Sequence, residues 1–277
     1  MPDRDPDLTS RDSPRPAVVR LPGGLSLVLP AHNEEANIAH VVGDALFVLP
    51  AFTDDIEIIV VDDGSRDDTR KIVAALAVDH PFVRLVSHPA NRGYGAAVTT
   101  GIEASTKPYV MFMDADRQFR IEDLADLSPF VGAFDVVAGF RKERHDPLHR
   151  RLFAEIFNVT VRVLFGVHLR DIDCAFKVFR GDMVRSLDLS APGALINTEM
   201  QAKLRQMGAT LQQVGVNHYP RIAGQATGGN PRVILRAMRE TLVLRWTMRT
   251  YQPPTLEPLR PSINAAPLSI ELDPPSQ

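Results

Sequence analysis

The chain has 277 residues, 44% of them hydrophobic and 23% charged, with a formal net charge of −3. That length and composition fit one α/β domain with its own core, and the lack of a basic field argues against a nucleic-acid partner. With a single cysteine, Cys174, an internal disulfide and a cysteine zinc cluster are excluded, and a reducing cytoplasmic setting is expected.

Residues 1–22 carry five prolines among alternating charges and read as a disordered leader. The Met-Pro-Asp-Arg-Asp-Pro opening lacks the apolar stretch of a signal peptide. No apolar run approaches the roughly 18 residues that span a bilayer, so the protein is expected to be soluble or to lie on a membrane surface. Strands at Leu25–Leu29, Ile56–Val61, Phe82–Ser87 and Tyr109–Met113 alternate with helices over about Glu34–Val48, Asp67–Val78 and Tyr94–Ala104. A short helix near Ile121–Leu127 and a strand at Phe134–Ala138 follow. This order predicts an α/β fold, a Rossmann-like, mostly parallel sheet with helices on both faces. The second half is less regular. A helix is predicted over Leu148–Gly166, and another over Glu199–Met207 behind a capping box opened by Thr198. Leu211–Tyr219 reads as a strand, and Pro231 opens a last helix to about Arg249. The folded domain is thus placed at residues 23–251, with 228–251 as an amphipathic surface helix. Residues 252–277, with seven prolines, read as a disordered tail.

Polar motifs fall at the carboxyl ends of the strands, where sheets of this kind bind ligands. Met111-Phe-Met-Asp114-Ala-Asp116-Arg-Gln118 is the sharpest. Two carboxylates two residues apart past a buried strand can meet at one hard divalent cation, with Gln118 adding a neutral oxygen. A lone Asp-x-Asp is more often a turn former; its position gives it weight. In Val61-Asp62-Asp63-Gly64-Ser65 a carboxylate can accept from a nucleobase or ribose, or simply open a capped helix. In Pro30-Ala-His32-Asn33-Glu34-Glu35, His32 can stack on a base and Glu34 fix a ribose. The plainer reading makes Asn33 the helix N-cap. Asn91-Arg-Gly93-Tyr-Gly95 precedes a helix, so its amides can approach a phosphate, although a plain turn is the commoner outcome.

Together these four segments resemble family two glycosyltransferases, in the branch of dolichyl- or polyprenyl-phosphate sugar synthases, over residues 24–140. The resemblance implies a GT-A fold. It implies a nucleotide-sugar site at Pro30, His32, Glu34, Val61, Asp63, Asp114 and Ala115, and Mg²⁺ or Mn²⁺ on Asp114, Asp116 and Gln118. Looser matches follow. Gly139-Phe-Arg141 is similar to a turn whose Arg faces phosphate, Asp171–Arg180 to a D-x-x-S-G-F-R segment, and Arg221–Thr227 to a loop that closes over donor and acceptor phosphate. Three departures stand out: His32 replaces an aromatic Tyr, Thr227 stands where the family carries Lys, and the spanning helices of many relatives are lacking.

The activity implied is inverting transfer of a sugar from a nucleotide-diphosphate sugar to a polyprenyl phosphate, with Asp116, Arg221 and Arg141 as the catalytic set. A phosphate monoester is already anionic near neutrality and needs no base. A hydroxyl acceptor needs one, and Glu199 is the nearest substitute, weighed against an ordinary first-turn helix acid. Arg232, Arg236 and Arg239 flank an apolar stripe of Leu235, Met238, Leu242 and Trp246, a basic amphipathic pattern suited to an anionic membrane surface. The expected location is therefore the inner face of the membrane. The alternatives are a glycosyltransferase acting on a hydroxyl and a non-catalytic nucleotide-sugar-binding protein.

Overall fold

The computed structural model describes residues 18–142, 148–220 and 240–256, with the backbone alone for residues 148–154. Seven strands form one sheet in the order β3-β2-β1-β4-β6-β5-β7. They are β1 Leu25–Ala31, β2 Ile56–Asp62, β3 Val83–Ser87, β4 Tyr109–Met113, β5 Val136–Arg141, β6 Phe176–Arg180 and β7 Leu211–Val216. β2 and β4 flank β1 in parallel, β3 continues from β2, and β7 lies parallel to β5. Only β6, antiparallel to both β4 and β5, runs the other way. Every residue of β1, β2 and β4 is buried. Successive side chains point to opposite faces, so both faces of the central sheet are covered. The edge strands β3 and β7 are half-exposed.

The helices are α1 Ile38–Val48, α2 Thr69–Asp79, α3 Tyr94–Ala104, α4 Leu124–Leu127, α5 Leu148–Phe165, α6 Gly181–Arg185 and α7 Ile196–Gln206. α3 lies on β1 and β2, where Gly101 leaves no room for a Cβ against Val28. A last helical stretch covers residues 240–247. No described helix is long and apolar enough to cross a membrane.

Several expectations are corrected. β6 and α6 were not anticipated. β6 carries Lys177, which is fully buried. Its Nζ donates to the carbonyls of Ile172 (3.1 Å) and Cys174 and to Asn197 Oδ1 (3.3 Å). Those acceptors offset the cost of burial, which holds its pKa below the usual lysine range. Thr198 is no cap: α7 starts at Ile196, and Thr198 is buried inside its first turn. Asn33 is no cap either. It takes left-handed φ 58°, and α1 begins only at Ile38. Residues 18–22, read as leader, run along the core: Leu21 is buried and its amide donates to Phe52 O at 2.9 Å. Residues 1–17 and 257–277 lie outside the described residues, as do Pro231, Arg232, Leu235, Arg236, Met238 and Arg239.

Candidate functional site

The parallel pairing of β1 and β2 sets Ala31 beside Asp62, so the loops that follow them are neighbours. They are laced together. Asn33 N donates to Ser65 Oγ (3.0 Å), Arg66 N to Asn33 Oδ1 (2.9 Å), Glu34 N to Thr69 Oγ1 (2.8 Å) and Asp68 N to Glu35 Oε2 (3.0 Å). The left-handed Asn33 is what turns the first loop toward the second. On this platform His32 is exposed, and its Nδ1 hydrogen-bonds the Asp63 carbonyl at 2.9 Å. A carbonyl only accepts, so Nδ1 carries the proton. Glu34 accepts from Asn37 Nδ2 at 2.7 Å. Pro30 and Val61 are register partners and both buried. The Val61 side chain lies under Gly101 of α3, so it serves the core.

Asp63 does more building than the sequence reading gave it. Its Oδ1 accepts from His88 Nδ1 (2.7 Å) and Arg92 N (2.8 Å), and its Oδ2 from Gly93 N (2.8 Å). His88 Nε2 in turn meets Thr100 Oγ1 at 3.0 Å. From the other side the Pro192 carbonyl accepts the amides of Gly95 (2.8 Å) and Ala96 (3.3 Å). The amides of residues 92, 93, 95 and 96 are therefore committed within the protein, so Asn91–Gly95 is a clamped turn, the commoner of its two readings. That turn aims Tyr94, whose hydroxyl hydrogen-bonds Asp114. Burial first, then the charge of Asp114 with weaker contributions from Asp173 and Asp116, raise the Tyr94 phenol well above its ordinary value.

Asp114, Ala115, Asp116 and Gln118 form the turn after β4. Ala115 and Asp116 are buried, and Arg117 between Asp116 and Gln118 has φ 63°, a conformation that costs a side-chain-bearing residue about 1 kcal/mol or more. Asp116 Oδ1 accepts Gln118 N at 3.1 Å. Gln118 is bound to the chain end of the described 148–220 segment: Tyr219 N donates to Gln118 O (2.9 Å) and Gln118 Nε2 to Tyr219 O (3.3 Å). The Arg120 guanidinium lies over the Tyr219 ring, and Phe119 meets His218 edge to face. The residues just before Arg221 are thus docked on the Asp-x-Asp turn; Arg221 itself lies outside the described residues. All oxygens offered here are hard donors, which fits Mg²⁺ or Mn²⁺. Among the described residues no group of three or more His, Cys, Asp or Glu side chains is arranged to hold a metal ion.

Two further residues weighed from the sequence make their partners within the fold. Arg141, expected to face phosphate, closes a bidentate pair on Asp171 through Nε (2.6 Å) and Nη2 (2.9 Å). Glu199, weighed as a substitute base against an ordinary helix acid, is the first-turn acid of α7, fully buried and bonded to the backbone of Ser190 and Ala191. Tyr94, His88 and the exposed Asp173 were not singled out from the sequence. The Asn91–Gly95 spacing pointed to the turn, but only the folded chain brings Asp173 to it.

The Glycosyl transferase family 2 model matches residues 26–187, more than half the chain, and the chain belongs to that family. It is 35% identical over 173 residues to a dolichyl-phosphate beta-glucosyltransferase of Trichomonas vaginalis, covering 56% of this chain and 52% of that protein. It is 32% identical over 168 residues to an undecaprenyl-phosphate 4-deoxy-4-formamido-L-arabinose transferase of Pseudomonas fluorescens, covering 59% of this chain and 48% of that protein. The chain thus spans about half the length of these curated relatives. In fold it is similar to glucosyl-3-phosphoglycerate synthase of Mycobacterium tuberculosis solved with UDP. The TM-score is 0.64 at 22% identity, over 80% of each chain. A second structure of that enzyme, holding Mn²⁺, UDP-glucose and phosphoglyceric acid, gives the same values. The predicted GT-A type of α/β fold is therefore the observed one.

Proposed function

We propose that this chain is an inverting glycosyltransferase that moves a sugar from a nucleotide-diphosphate sugar to a polyprenyl phosphate. The observation that carries the reading is the turn Asp114–Gln118, placed beside the laced loops of His32, Glu34 and Asp63 and docked on the segment leading to Arg221. The names of the curated relatives, on both dolichyl and undecaprenyl phosphate, support the acceptor class.

Asp114, Asp116 and Gln118 would hold Mg²⁺ or Mn²⁺, which when bound supplies positive charge to the diphosphate leaving group. His32, with its proton pinned on Nδ1, presents its exposed ring to a base, and Glu34 faces the ribose side. Tyr94 keeps Asp114 in place by a hydrogen bond. Arg221 is assigned as the second cation on the leaving group. Arg141, paired with Asp171, shapes the acceptor side in place of binding phosphate directly. A phosphate-monoester nucleophile is anionic near neutrality. The burial of Glu199 is consistent with a reaction that takes no proton from its acceptor.

One observation favours a second reading, transfer to a hydroxyl: Asp173 offers an exposed carboxylate in the neighbourhood of Tyr94, and a hydroxyl acceptor needs a base of that kind. Purified protein with Mn²⁺ or Mg²⁺ is offered GDP-mannose, UDP-glucose and UDP-N-acetylhexosamines against polyprenyl phosphate, and separately against water-soluble glycan acceptors. Lipid-linked sugar formed with one donor supports the proposal. Product only on soluble hydroxyls, abolished by Asp173→Asn, replaces it with the second reading. Donor binding without product in either arm leaves a nucleotide-sugar-binding protein.

A further inference from the structure

Glu199 is an acidic side chain with no exposure. Its Oε1 accepts from Ser190 Oγ (2.9 Å) and Lys203 Nζ (2.7 Å), and its Oε2 from Ser190 N (3.0 Å) and Ala191 N (2.7 Å). Lys203 also donates to the Asp188 carbonyl, and its ammonium lies 4.9 Å from the Tyr251 ring centroid. A hydroxyl, an ammonium and two backbone amides thus converge on the two carboxylate oxygens. The loop so held continues into Pro192, whose carbonyl takes the amides of Gly95 and Ala96. The contact is close: a Cβ on Gly95 would collide with the carbonyls of Ala191 and Gly193, and one on Gly93, at φ 103°, would sit 2.5 Å from Pro192 O. Between these two glycines stands Tyr94, bonded to Asp114.

We infer that Glu199 is a positioning residue: by clamping residues 188–193 it sets the Gly93–Gly95 turn, and through Tyr94 the orientation of Asp114 in the Asp-x-Asp turn. This rests on the function proposed above for Asp114; the clamp itself rests only on the bonds just given. Glu199 touches no reacting atom. Its replacement by Gln would point an amide N–H₂ at the Ala191 N–H, two donors facing each other, and free the loop. A misplacement of even about an ångström at a reacting centre lowers turnover by up to roughly a hundredfold.

The test has two arms. In the first, hydrogen exchange is followed in peptides spanning residues 91–97 in wild type, Glu199→Gln and Gly95→Ala, with melting to check the fold. Gly95→Ala opens the same contact with Glu199 intact, and serves if Glu199→Gln fails to fold. Faster exchange confined to residues 91–97, with core strands still protected, is expected of either variant. Unchanged exchange there in a folded variant, or loss of protection everywhere in both variants, overturns the clamp. In the second arm, transfer is measured for the chosen variant, Tyr94→Phe and the double variant. The expected result is kcat reduced roughly tenfold or more with donor KM nearly unchanged, and little further loss in the double variant. Losses that multiply would show that Glu199 does not act through Tyr94. Wild type that transfers no sugar to any acceptor would sink the proposed function. The clamp would then stand or fall on the exchange arm.

Discussion

Asp63 and Asp116 sit in equivalent places, just past the carboxyl ends of parallel strands, and the same residue type is used in opposite ways. Asp63 is spent on the protein, accepting from His88 and two loop amides. Asp116 accepts a local amide, Gln118 N, and its turn holds a strained Arg117. Replacing Asp63 with Asn should therefore strand a buried donor and cost about 1–3 kcal/mol of stability, read as a lower Tm. Asp116→Asn should leave Tm within a degree or two of wild type while turnover with Mn²⁺ or Mg²⁺ disappears. Full activity in Asp116→Asn, or wild-type activity indifferent to chelator, would remove the metal from the mechanism. A Tm unaffected by Asp63→Asn would show that His88 and the loop amides find other partners.

At the scale of elements, the helix α3 depends on how closely it can approach the sheet. Gly101 has no space for a Cβ against Val28 and Val61, whereas Gly43 in α1 faces open space. Gly101→Ala should destabilise by about 1–3 kcal/mol through overpacking, and Gly43→Ala should stabilise by roughly 0.5–1 kcal/mol through helix propensity. Denaturant midpoints of the two variants should move in opposite directions. If both move the same way, the tight seating of α3 is not what limits the sheet. β6 teaches the complementary point. Its Phe-Lys-Val-Phe-Arg run carries two charges, and Lys177 is buried because carbonyls of its own preceding loop receive it. Arg180 is answered by Asp135 and Asp182. Partners that distant, or that dependent on loop conformation, are invisible to a periodicity of two.

The whole molecule carries carboxylates that folding makes more acidic. Around Glu57 burial pushes the pKa up, but hydrogen bonds from Ser26, the Thr106 amide and Arg84 outweigh it. Asp67 and Asp182 are lowered in the same way, by Thr69 and Glu35 contacts and by Arg180 respectively. A folded pKa below the unfolded one contributes stability that is complete above the unfolded value and lost as pH falls through the folded one. Tm should hold from neutrality to about pH 5 and decline once pH drops below roughly 4.5. A Tm that begins to fall near pH 6.5 would point to histidines instead. At the same scale, residues 240–248 turn Leu244 and Met248 inward and leave Leu242, Val243 and Trp246 exposed, Trp246 at 73%. The stripe expected of Leu242 and Trp246 therefore faces outward. If it meets a membrane, Leu242→Ser with Trp246→Ser should reduce sedimentation with anionic vesicles severalfold at unchanged Tm. Equal binding by wild type and variant would take the membrane contact away from this face.

The alternation of strand and helix, the four polar motifs and the family were legible in the sequence because each is local: a strand period, a turn, a carboxylate spacing. α3 and β4 came out with the predicted bounds for that reason. What only the tertiary structure decided is which polar groups are consumed. Asp63 and Arg141 read as site residues and Glu199 as a helix acid or a substitute base, yet His88, Asp171 and Ser190 meet them across 25, 30 and 9 positions of chain and engage their carboxylates and guanidinium within the fold. A buried charge must find its partners, and those partners are chosen by where the sheet places the loops, a quantity no short window of sequence contains.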